Sequence, residues 1–146
     1  MAYVQTRGMA NGSGHLLHPM LLPFPIVLFL ATLLCDLVYL TNGEAGWAGT
    51  ARMLLGAGLF TALLAVIAWI MDVMGERAAP ATRSYGLHLL GMAAAVGVEG
   101  YSYYLRHAEG AASVTGSVLT LSVVGAALLG LSSWMGASAR RAEAAR

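Results

Sequence analysis

Four stretches of this chain, roughly residues 25–40, 51–74, 85–105 and 113–135, are predominantly apolar. Each approaches the length of about 20 residues that a helix needs to cross the hydrocarbon of a bilayer. Lipid offers the backbone no hydrogen-bond partner, so a spanning segment must satisfy its own N–H and C=O groups, and a helix does so. Over the 146 residues, 58% are apolar and 10% charged, with a mean hydropathy of +0.71. An ordinary soluble domain carries roughly a quarter charged residues, and a soluble core of this size could not enclose the apolar surplus. The loops at 41–50, 75–84 and 106–112 are short, which makes neighbouring spans antiparallel. The expected fold is therefore all-α: a polytopic membrane protein built as an antiparallel four-transmembrane-helix bundle.

Outside that domain, placed at 15–138, the sequence predicts a flexible tail at 1–14 containing Gly8, Asn11, Gly12, Ser13 and Gly14, and a basic tail at 139–146. The first span follows about twenty mixed residues with no small-residue cleavage site, so it reads as a retained helix and not a signal peptide. Pro19, Pro23 and Pro25 resist the helix interior, and Pro25 suits a first turn. All eight basic residues are arginine. Arg7, Arg77, Arg83, Arg140, Arg141 and Arg146 fall on one side of the expected membrane, Arg52 and Arg106 on the other, which places both termini in the cytoplasm. Trp47, Trp69, Trp134, Tyr39 and Tyr85 lie near span ends, where amphipathic rings anchor. Nothing resembles a basic, aromatic-flanked nucleic-acid footprint. Cys35 is the single cysteine, which excludes an internal disulfide. Small residues recur at Gly58, Thr61, Ala65 and Ala68 and at Ser122, Gly125, Ser132 and Gly136, the pattern of close helix packing in membranes.

Ionisable residues within spans are costly in lipid and mark candidate sites. Topology sorts them into two layers. On the outer side are Asp36, Arg52, Glu99, Arg106 and His107, read as a buried charge network whose acids and bases pair, or as carboxylates that carry protons. On the cytoplasmic side are His15, His18, Asp72 and His88. Two histidines on facing segments can clamp a haem iron, and His18 with His88 is the best such pair, with His15 and Asp72 in support. The same four residues could hold a divalent transition metal; a hydrogen bond between His88 and Asp72 with no ligand is the plainer reading. On the third span His88, Met92, Ala95, Glu99, Ser102 and Arg106 alternate by four and three, so one helix face links both layers.

The run Gly14-His15-Leu16-Leu17-His18-Pro19-Met20, followed by Phe24-Pro25 and Asp36, resembles the opening of a bacterial membrane family, domain of unknown function 2231. Asp72 matches an aspartate closing that family's second span, His88 a histidine early in its third, and Arg106-His107 an arginine–histidine pair after it. The likeness covers nearly all of 14–138. Leu16 departs from a common proline, Leu22-Pro23 from a common histidine or acid, and Glu109 intervenes before Gly110. The resemblance implies a bacterial inner-membrane location, and some members are fused to Rieske or cytochrome-like domains, which implies membrane electron transfer. This chain has no Cys-x-x-Cys-His motif, so any haem would be b-type and non-covalent.

Three functions follow as expectations. The first is a haem b- or metal-binding module for membrane electron transfer, with a membrane or periplasmic redox protein as partner and a homo-oligomer allowed. The second is a proton-coupled transporter using Asp36, Glu99 and His88; the third is a structural accessory subunit whose buried charges fix helix register. No nucleophile–base pair or phosphate loop is evident, so an enzyme acting alone is not expected.

Overall fold

A computed structural model describes the backbone of residues 20–75 and 83–144, and the side chains of residues 20–71, 86–135 and 138. Nearly all of it is helical. Four long α-helices, α1 (Pro23–Asn42), α2 (Ala45–Gly75), α3 (Arg83–Ala108) and α4 (Ser117–Ala144), follow one another, with a 3-10 helix, Gly110–Thr115, before the last. They contain the apolar stretches and overrun them, except at 113–116, where the chain is still in the 3-10 helix and its end. There Ser113 donates its hydroxyl to the Gly110 carbonyl at 2.7 Å, holding a tighter turn than an α-helix makes. Helix α1 starts at Pro23, two residues before the position its prolines suggested, because a proline in the first turn loses no intrahelical bond.

The junction between α1 and α2 is two residues long. Gly43 takes φ +72°, a left-handed value that costs glycine little, and its N–H donates to the Tyr39 carbonyl at 2.8 Å. Glu44 N–H then donates to Asn42 Oδ1 at 3.0 Å, which turns the chain directly into the next helix.

Helix α1 packs chiefly on α2, and α3 chiefly on α4; contacts of α4 with α1 and of α2 with α3 close the ring. Buried positions recur by threes and fours on each helix: 25, 29, 32 and 36 on α1; 48, 51, 55, 58, 62 and 65 on α2; 95, 99, 102 and 106 on α3; 118, 122, 125, 129 and 132 on α4. That period of 3.5 suits helices packed knobs-into-holes with a left-handed twist. Phe29, Leu55, Ala62, Ala95 and Leu129 form the apolar centre. Backbones approach closely at Gly58, where an added Cβ would stand 2.5 Å from the Phe29 ring.

The distribution of side chains is inverted relative to a water-soluble bundle. Thr32, Asp36, Glu99, Ser102, Arg106, Ser122 and Ser132 are buried, whereas Phe24, Leu34, Met53, Phe60, Leu63, Leu90, Leu131 and Trp134 are exposed. A surface of this kind is suited to lipid. Among the described residues three helical segments can cross a membrane by length and composition: Pro23–Asn42, Ala45–Met71 and Ser117–Met135. Helix α3 is as long but less apolar, because His88, Glu99, Ser102, Arg106 and His107 lie along it.

Candidate functional site

Helix α3 carries the polar axis of the bundle. Its stripe faces inward as the four-and-three spacing predicts: Ala95, Glu99, Ser102 and Arg106 are buried, and His88 and Met92 are half-buried. Arg106 reaches across to α1, which stands diagonally opposite. Its guanidinium grips the Asp36 carboxylate with both arms, Nη1 to Oδ1 at 2.7 Å and Nη2 to Oδ2 at 2.5 Å. The planar fork of arginine matches a carboxylate in this way, and lysine could not. Ser122 on α4 completes the cluster, accepting from Nη2 at 3.0 Å and donating to Asp36 Oδ2 at 3.1 Å. The pair is 2% and 0% exposed, so its geometry must offset a large desolvation cost.

Glu99 lies one turn deeper than Ser102. It is 1% exposed, and its Oε2 has no hydrogen-bond partner among the described residues. The carboxylate rests on α4 at Gly125, and a Cβ there would land on its Oε1 and carboxyl carbon.

Two residues expected in this buried network are outside it. Arg52 and His107 are exposed. His107 donates from Nδ1 to the Tyr103 carbonyl at 3.0 Å and packs on the Tyr103 ring, centroids 4.3 Å apart. Arg52 lines a small cavity of about 160 Å³ at this end of the bundle together with Arg106, Ala48, Gly49 and Gly110.

At the opposite end of the stripe the His88 imidazole is held by a short hydrogen bond to α4. Its Nδ1 lies 2.7 Å from the carbonyl oxygen of Ser132 on α4. A carbonyl only accepts, so Nδ1 carries a proton, and in the neutral ring Nε2 is the nitrogen that keeps a lone pair. His88 borders a second cavity of about 430 Å³ whose walls include Pro25, Phe29, Trp69, Met92 and Leu129. An imidazole whose far nitrogen is anchored to a backbone carbonyl has the orientation and tautomer of a metal-ligating histidine. His15 and His18 lie outside the described residues. Asp72 is in the last turn of α2, its side chain likewise outside them. Among the described residues no group of three or more histidine, cysteine or acidic side chains is arranged to hold a metal ion.

Sequence reasoning missed two participants. Ser122 and Ser132 were legible as a packing stripe; that one would bridge an ion pair and the other orient a histidine through its backbone has no side-chain signal. A family model described as "Predicted membrane protein (DUF2231)" matches residues 14–143. The chain belongs to this family. No curated protein and no solved structure matches it. The DUF2231 match begins at Gly14, so it takes in the His-x-x-His segment before α1 as well as all four helices up to residue 143.

Proposed function

We propose that this DUF2231 protein is a multi-pass protein of the bacterial cytoplasmic membrane, with four antiparallel spans and cytoplasmic termini, that holds haem b beside His88 and passes electrons to a membrane or periplasmic redox protein. The observation that carries the reading is the His88 imidazole, anchored through Nδ1 to the Ser132 carbonyl at the border of an apolar cavity. Its remaining nitrogen is a ligand atom of fixed direction. His18, from the segment leading into α1, would supply the second ligand, and His15 and Asp72 would support the pair; these assignments rest on their positions along the sequence. Apolar walls such as Phe29, Met92 and Leu129 suit a macrocycle and exclude water from it. Bound haem would supply one-electron exchange. A fourth span at α3 is supported by its two faces, since the polar stripe turns inward while Leu87, Leu90, Tyr101 and Tyr104 are exposed.

The test is an optical spectrum of detergent-purified protein expressed with a haem precursor, oxidised and then dithionite-reduced, beside His88→Ala and His18→Ala. A sharp reduced band that both variants lose is the expected result. A featureless spectrum with an empty pyridine haemochrome assay overturns the haem reading, and a metal retained in stoichiometric amount and lost in His88→Ala would replace it with a divalent transition-metal site.

A further inference from the structure

Glu99 is not accounted for by the His88 cavity or by the Asp36–Arg106 pair. We infer that Glu99 is a proton-binding site, a buried carboxyl that exchanges its proton with the small arginine-lined cavity at the outer end of the bundle.

A buried carboxylate needs hydrogen bonds or a counter-charge to offset lost hydration. Arg106 is the one base on the inner face of α3 at this level, and both arms of its fork are aligned on Asp36. Ser122 gives its hydroxyl proton to Asp36 as well. Helix α4 meets Glu99 with the bare backbone of Gly125, and between residues 117 and 135 it carries no titratable side chain. From α1 the titratable groups are Cys35, Asp36 and Tyr39. From α2 up to residue 71 there is only Arg52, which is exposed, and from the neighbouring turns of α3 there are Tyr103 and Arg106. Two acids thus share one buried base, and that base is committed to Asp36. A bound proton removes the surplus charge: the carboxylate takes H⁺ from cavity water to become the neutral acid, and returns it there on release.

Access follows the same stripe. Arg106 lines the outer cavity, whose volume of about 160 Å³ admits several waters. From there Ser102, 3.5 Å from Arg106 Nε, leads inward toward Glu99 one turn along α3. A side chain needed only for packing would not require an ionisable head here. The inference is independent of any ligand at His88.

The experiment is infrared difference spectroscopy of the full-length protein in lipid nanodiscs during a pH step, in H₂O and in D₂O. It compares wild type, wild type with ¹³C-carboxyl-labelled glutamate, and Glu99→Gln. The expected result is a carboxylic-acid C=O band that shifts in D₂O, shifts with glutamate labelling and is lost in Glu99→Gln. Glutamine matches the neutral acid in shape, so this variant should fold; if it does not, Glu99→Asp gives the assignment, since its band no longer shifts with glutamate labelling. Absence of a label-sensitive band, or a band that survives in Glu99→Gln, overturns the inference. So does a band that Na⁺ abolishes at constant pH, since that would make the site one for a metal cation.

Discussion

The ion pair between Asp36 and Arg106 divides the charged residues at its end of the bundle into those that the fold brings together and those it leaves at the surface. Breaking a buried pair leaves an uncompensated charge, which costs about 3–5 kcal/mol. Asp36→Asn and Arg106→Ala are therefore each expected to lower stability by that order in mixed-micelle unfolding, whereas the double variant Asp36→Leu/Arg106→Met should recover most of the loss. Equal loss in the double variant would show that the charges themselves, and not their pairing, hold the bundle. Helical phase explains which members of the network were legible. Arg106 continues the spacing of His88, Ala95, Glu99 and Ser102, so its inward direction could be read from α3 alone. Arg52 immediately follows buried Ala51, and His107 follows buried Arg106, so each is turned about 100° from the inner face. That Glu99 Oε2 has no hydrogen-bond partner among the described residues was not legible, since it depends on which of two acids Arg106 grips.

Among the helices, the small-residue stripe of α2 turns inward at three of its four positions. Gly58, Ala65 and Ala68 are buried and Thr61 is half-buried, and Gly58 admits the Phe29 ring of α1. Gly58→Leu forces that ring out of its place, with an expected cost of about 1–3 kcal/mol; Leu63→Ala on the exposed face of α2 is the control. A scan of thermal aggregation in detergent compares the two, and an equal response would deny the close approach of α1 and α2. Element ends were less legible than element faces. The start of α4 fell later than hydropathy suggests because Ser113 and Val114 are buried in a 3-10 turn, where apolar character reports burial and not helix type.

For the whole molecule, composition made the membrane environment legible, but the number of crossings turns on α3, whose polar axis lowers its hydropathy. With Cys35 replaced by serine, single cysteines at Glu44, Glu109 and Ser138 separate the topologies. Four crossings predict that an impermeant maleimide labels positions 44 and 109 from outside intact cells and reaches 138 only after lysis. If α3 does not cross, positions 109 and 138 exchange behaviour. The two strongest helix pairings make the molecule two hairpins, α1 with α2 and α3 with α4, and the carboxylate of the first meets its guanidinium only in the second. Asp36 and Arg106 are 70 residues apart. At translation rates of about 5–20 residues per second, Asp36 leaves the ribosome roughly 4–14 seconds before Arg106 does. The cell must therefore accommodate a nascent hairpin with a lone acid on its inner face, sheltered by the insertion machinery until the later half arrives to receive it.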